Sequence, residues 1–127
     1  MKKVIVTPNA PQAIGPYSQA IKANGFVFVS GQLPINPATG TIEATDAAGQ
    51  ADQALKNLKA ILAEAGCTLN DVVKNTVFLS DISNFSAMNE VYKQYFTENF
   101  PARSSFAVKD LPMGALVEIE SIAAANE

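Results

Sequence analysis

Apolar and polar side chains along this chain follow two periods. Six stretches, residues 3–6, 18–22, 26–30, 72–80, 100–108 and 116–120, have strand lengths and strand patterns. Two longer stretches carry apolar residues at helical spacing. The first stripe is Ala51, Ala54, Leu55, Leu58, Ile61, Leu62 and Ala65, with Thr45 as expected N-cap, Asp46 in the first turn and Gly66 as the stop. The second is Phe85, Met88, Val91, Tyr92, Tyr95 and Phe96, capped by Ser83 or Asn84. Asn24-Gly25 predicts a type I′ hairpin turn between the second and third strands. Residues 10–16 and 31–40, rich in proline and glycine, read as loops. In the strand at 72–80, Val73, Asn75, Val77 and Leu79 are expected on one face, with Val72, Lys74, Thr76 and Phe78 on the other.

The order is then β-β-β-α-β-α-β-β. It predicts an α+β fold, a two-layer domain in which a mixed six-stranded sheet carries both helices on one face. No linker, low-complexity segment or repeat divides the chain, so residues 1–127 are expected to form a single domain.

Composition narrows the function. A chain 48% hydrophobic and 17% charged is that of a folded globular protein. Its net charge of −3 and pI of about 4.9 argue against a phosphate-binding surface, so no nucleic-acid partner is expected. Histidine is absent and Cys67 is the only cysteine. That excludes a histidine base and an intrachain disulfide, and no metal site is expected. Cys67 reads as a packed or part-exposed thiol and not as a nucleophile. The apolar runs fall short of the roughly 20 residues of a membrane helix. The basic start Met1-Lys2-Lys3 leads into a run ended by Thr7-Pro8, too short for a signal peptide. No membrane partner is expected, and a cytoplasmic location is the default.

The candidate chemistry lies in the last two strands, read as neighbours. Along 100–108, Ser104, Phe106 and Val108 share one face and Arg103, Ser105 and Ala107 the other; along 116–120, Val117 and Ile119 oppose Glu118 and Glu120. If both helices cover one sheet face, Arg103, Ser105, Glu118 and Glu120 are expected together on the open one. An arginine among small residues offers a planar fork of donors suited to a carboxylate, and a nearby glutamate can position a water or move a proton. The plainer reading of Arg103 and Glu118 is a surface ion pair.

Pro101-Ala102-Arg103-Ser104-Ser105-Phe106, the Leu111-Pro112 turn and Val117-Glu118-Ile119 resemble the C-terminal signature of the Rid (YjgF/L-PSP) family of reactive-intermediate deaminases. Ala10-Pro11, Ala13-Ile14-Gly15-Pro16-Tyr17-Ser18-Gln19-Ala20 and Phe28-Val29-Ser30-Gly31-Gln32-Leu33-Pro34 resemble the same family. The likeness spans essentially the whole chain, and the arginine is that of the RidA type, the 2-iminobutanoate/2-iminopropanoate deaminases. It implies a chorismate-mutase-like fold (bacillus type) and a homotrimer with clefts between subunits, which would account for the open sheet face.

The reaction so implied is hydrolysis of imines or enamines such as 2-aminoacrylate and 2-iminobutanoate to 2-keto acids and ammonia. Arg103 would anchor the carboxylate and Glu118 would position or deprotonate the water. Tyr17 would wall the pocket and offer a donor to the reaction, and Ser30, Gly31, Asn89 and Ser105 would line it. Water attacks an activated C=N carbon, so no cofactor and no metal are implied. Without the resemblance, Tyr17 reads equally as an ordinary half-buried tyrosine, Gly31 as a bulge and Asn89 as a solvated helix residue. Glu120, on the same strand face, competes with Glu118, but the Val-Glu-Ile match selects Glu118. Ser105 departs from the cysteine common among relatives; the swap is neutral if the backbone carbonyl there carries the role. A non-catalytic binding or regulatory trimer is the alternative. A ribonuclease or translation inhibitor is a third, opposed by the acidic pI and the lack of histidine.

Overall fold

The computed structural model describes residues 1–125; Asn126 and Glu127, the end of the expected domain, lie outside the described residues. Its strands are β1 (Lys3–Ile5), β2 (Ala20–Ala23), β3 (Phe26–Gln32), β4 (Ile35–Asn36), β5 (Thr41–Ile42), β6 (Val72–Leu79), β7 (Ala102–Ala107) and β8 (Val117–Ala124). Its α-helices are α1 (Ala47–Glu64) and α2 (Phe85–Tyr95). Six strands form one sheet in the order β1-β2-β3-β8-β6-β7, and β4, inside the stretch read as loop, pairs with β5 just beyond it as a small separate hairpin. The main sheet is mixed, because β7 pairs parallel to β6 while all other neighbours are antiparallel. The α+β expectation of a mixed six-stranded sheet with two helices holds.

The local signals explain the boundaries. Asn24 (φ 51°) and Gly25 (φ 78°) make the left-handed turn between β2 and β3. The N-cap of α1 is Asp46 and not Thr45: Asp46 is extended, and its Oδ1 accepts from the Gly49 N–H at 2.9 Å. At the other end Gly66 takes φ 81°. The Cys67 N–H then reaches the Leu62 carbonyl at 2.8 Å and the Gly66 N–H reaches Ala63 at 3.0 Å, a Schellman closure. Asn84 precedes α2 but makes no side-chain cap bond; Asp81 accepts from the Ser83 N–H instead, closing the short 3₁₀ turn at Ile82–Asn84.

The core lies between sheet and helices. Val27, Val29, Val77, Leu79, Val117, Ile119 and Ala123 are buried with Ala51, Ala54, Leu55, Leu58, Ile61 and Leu62 of α1 and Met88, Tyr92 and Phe96 on the α2 side. Tyr95 ties α2 to α1 by donating its hydroxyl to Asp52 Oδ1 at 2.5 Å. The opposite sheet face carries Val4, Phe26, Phe28 and Phe106, all exposed, and Phe106 meets Phe78 edge-on at 5.5 Å.

Three expectations about the sheet need correction. Residues 100–108 do not lie beside 116–120, because β6 sits between β7 and β8. A register shift at Val73 puts Val72, not Val73, on the buried face with Asn75, Val77 and Leu79. The third concerns parity. Asn75 is paired with Arg103, and Val77 with Ser105, so those two side chains share the helix-covered face. Phe78 is paired with both Phe106 and Glu118, and Thr76 with both Ser104 and Glu120, on the open face. Arg103 and Ser105 are therefore on the opposite side of the sheet from Glu118 and Glu120.

Candidate active site

The structure sorts the candidate residues into two groups. The first surrounds Glu118. Between β3 and β8 the register shifts from Val29↔Ser121 to Gln32↔Ile119, so Ser30 and Gly31 together stand opposite the single residue Glu120. This bulge keeps Gln32 buried although it follows Val29 by an odd number of residues. It also brings the Gly31 backbone against the Glu118 side chain: a Cβ on Gly31 would lie 2.3 Å from Glu118 Oε2 and 3.0 Å from its Cδ. Gly31 is thus a site of close approach, and the approaching group is Glu118.

Ser30 is fixed by donating its hydroxyl to the Ser18 carbonyl at 2.6 Å, while its N–H reaches the Gln19 carbonyl at 3.0 Å. Gln19 is buried, accepts from the Thr7 N–H and donates to the carbonyls of Thr7 and Pro11, which pins the proline-rich loop to β2. Tyr17, at the loop's end, is exposed and lines a cavity with Pro16, Ser18, Phe28 and Ser30; a second cavity joins Tyr17 to Gly31. Sequence reading gave Gln19 no role beyond its place in the motif. Its tie to the loop backbone depends on the folded path of that loop.

Glu118 is half-buried, and among the described residues it has neither a hydrogen-bond partner nor an ion pair. Burial pushes its carboxyl above the ordinary range, and the charge of Glu120 adds to the push. A carboxylate so placed is a better base than one in water.

The second group surrounds Arg103 on edge strand β7. Its Nη1 donates to Asn89 Oδ1 at 2.7 Å. Its guanidinium carbon stands 4.6 Å from the centre of the Tyr92 ring and 5.5 Å from that of Phe85. Asn89 and Tyr92, three residues apart on α2, reach it from the same helix face. No carboxylate among the described residues pairs with Arg103, so its remaining N–H groups are free for a ligand. The fork opens on a cleft of about 390 Å³ lined also by Asn89, Tyr92, Lys93, Phe96, Phe100 and Pro101. Ser105 is not part of that lining; its hydroxyl is shielded from solvent without a partner among the described residues. Tyr92 was legible only as part of the apolar stripe. Its spacing from Asn89 was the signal that it faces the same way.

The surface ion pair is overturned: two strand spacings, roughly 10 Å, separate the β7 and β8 backbones, and the side chains leave opposite faces. One chain therefore carries an arginine half and a glutamate half that face apart.

A profile of the family described as endoribonuclease L-PSP matches residues 7–125. The human protein named 2-iminobutanoate/2-iminopropanoate deaminase is 48% identical over 123 residues, covering 97% of this chain and 90% of its own. The crystal structure of the conserved Rid family protein YyfA from Yersinia pestis superposes with a TM-score of 0.96 at 52% identity, covering 98% of this chain and all of that one. The structure of Escherichia coli TdcF with bound serine gives 0.92 at 46% identity, covering 98% of this chain and 99% of that one.

Proposed function

The chain belongs to the endoribonuclease L-PSP (Rid) family, and from that premise we propose that it hydrolyses small imino and enamino acids, 2-iminobutanoate and 2-aminoacrylate among them, to 2-keto acids and ammonia. The reading is carried by the deaminase relative, nearly half identical along almost the whole chain. The geometry supports it. Beyond the N–H it gives Asn89, Arg103 keeps the donors for a bidentate carboxylate, and serine, bound in the TdcF structure, is itself an α-amino carboxylate. Glu118 is the raised, unpaired carboxylate that orients the attacking water and accepts its proton as oxygen adds to the C=N carbon. Tyr17, Ser30 and Gly31 shape the glutamate half; Asn89 steadies the arginine half.

Two halves facing apart make a site when copies associate. We therefore place each site between subunits of a homotrimer, with the exposed Phe26, Phe28 and Phe106 among the apolar side chains that association covers. The test of the activity is a coupled assay: a threonine dehydratase supplies 2-iminobutanoate, semicarbazide traps it, and the protein competes by releasing 2-ketobutanoate. A wild-type protein that neither speeds release nor suppresses trapping overturns the reading.

Mixing tests the shared site. Arg103→Ala and Glu118→Gln proteins, each inactive, are unfolded and refolded together in equal amounts. A site then draws its arginine half from the second protein with a chance of one half and its glutamate half from the first with the same chance, so about one quarter of wild-type activity returns. A mixture as inactive as its parents places the site within one chain.

Gly31→Ala probes the bulge. The added methyl displaces the end of the Glu118 side chain, not the backbone, so the fold is expected to survive. Activity falls about tenfold or more because the base is misplaced. Thermal melting and the same assay check both halves of that statement.

A further inference from the structure

Arg103 is an exposed side chain on an edge strand, and such an arginine ordinarily samples many rotamers. Here all three of its close partners are neutral: the Asn89 amide oxygen and the rings of Tyr92 and Phe85. Of these, Tyr92 is the one locked into the core. It is buried, its ring stacks on Phe96 at 4.6 Å, and its hydroxyl accepts a hydrogen bond from Asn75 Nδ2 at 2.9 Å. Asn75 is fully buried, and its Oδ1 accepts from the hydroxyl of Ser121, also buried.

The register gives this chain of contacts a direction. Ser121, Asn75 and Arg103 are successive partners across β8, β6 and β7, so one polar row crosses the helix-covered face and ends at the guanidinium. The surrounding residues Val77, Leu79, Val117 and Ile119 are wholly apolar. An amide in such a place is unfavourable unless satisfied, and apolar side chains would fill the space without that demand. A satisfied buried network fixes one orientation where apolar packing permits several.

We propose that the buried row Ser121–Asn75–Tyr92 is the positioning device of the carboxylate anchor: it holds the Tyr92 ring as a platform that sets the direction of the Arg103 fork. The inference rests on the reading of Arg103 as that anchor. Ser121, Asn75 and Tyr92 are positioning residues, and the hydrogen bonds hold the ring while the ring holds the cation.

The test reads binding separately from turnover. Calorimetry measures the Kd of 2-ketobutanoate, a carboxylate that does not react, for the assembled wild-type protein, Tyr92→Phe, Tyr92→Leu and the paired Asn75→Leu/Ser121→Ala variant. Removing the ring in Tyr92→Leu weakens binding about tenfold, and Tyr92→Phe, which keeps the ring, restores most of that loss. The paired variant, with the ring present but untethered, falls between them. On an Arg103→Ala background none of these changes has a further effect, and the Arg103 Nε–H resonance broadens in the platform variants; a merely structural role predicts neither.

Variants that bind like wild type overturn the positioning role, as does an equal loss with and without Arg103. Tyr92→Phe, which removes one oxygen, keeps the comparison available if Tyr92→Leu does not fold; a Tyr92→Phe protein with wild-type affinity and a sharp Arg103 resonance overturns the tether to Asn75. A wild-type protein that binds the keto acid through Arg103 but hydrolyses no imine overturns the deaminase reading and leaves the positioning role standing.

Discussion

Arg103→Ala is expected to lower kcat/KM for 2-iminobutanoate by about 10² to 10³ and to weaken binding of 2-ketobutanoate by a similar factor, to a residual affinity still read at high ligand concentration, because truncating one partner of a shielded, hydrogen-bonded charge pair costs about 3 to 4 kcal/mol. The fold loses little. The side chain is exposed, makes a single hydrogen bond within the chain and enters no ion pair among the described residues, so the melting temperature should stay close to wild type. Arg103→Lys separates charge from shape. It restores the positive charge without the planar fork, and about a tenfold deficit should remain. Steady-state kinetics with thermal melting decides the matter; an alanine variant within a few-fold of wild type would move the anchor elsewhere.

Glu118→Gln removes the base at nearly constant size and is expected to reduce the rate by about 10² to 10⁴, while binding of the keto acid persists. Its pH behaviour has two opposite signs. Wild-type activity needs the ionised carboxylate, so the rate falls as pH drops through a pKa lying above the ordinary carboxylate range. Stability runs the other way. A folded-state pKa raised above the unfolded one means that folding favours the protonated form. That contribution is fully present below the unfolded value and is lost as pH rises through the folded one. At neutral pH the Glu118 charge therefore weakens the fold, and the glutamine variant should melt higher while working far worse. Melting curves at neutral and at acidic pH, where the difference should vanish, check the sign. A glutamine variant that melts lower at neutral pH would contradict it.

The element order was legible because each boundary carries its own local cause: the Asn24-Gly25 turn, the Gly66 stop, the apolar stripes of both helices. Facing was less legible. Alternation in 100–108 defines two faces but does not say which is covered, and the smaller residues, Ser105 and Ala107, take the helix side of the sheet while Phe106 turns outward to meet Phe78. The order itself held a clue. A strand, an 11-residue helix and another strand in succession form the crossover that a parallel pair requires, which seats β7 beside β6 and away from β8. The bulge at Val73 was beyond reach, since period-two reasoning presumes that no residue is inserted, whereas the glycine itself marked Gly31 as a bulge candidate. For the site, the motifs held the members of both halves, but only the sheet register separates Arg103 and Asn89 from Tyr17, Gly31 and Glu118. The Asn75 amide, one polar residue in an apolar alternation, was the visible trace of what supports Arg103.

With the proposed site between subunits, halves that face apart also make catalysis a property of abundance. A lone subunit would then lack a working centre, and dilution is expected to extinguish turnover. Below the concentration at which copies associate, output falls more steeply than in proportion to the amount of protein. On the proposed function, a cell making little of this chain would obtain almost no deaminase activity from it, and a modest increase in synthesis would switch that activity on.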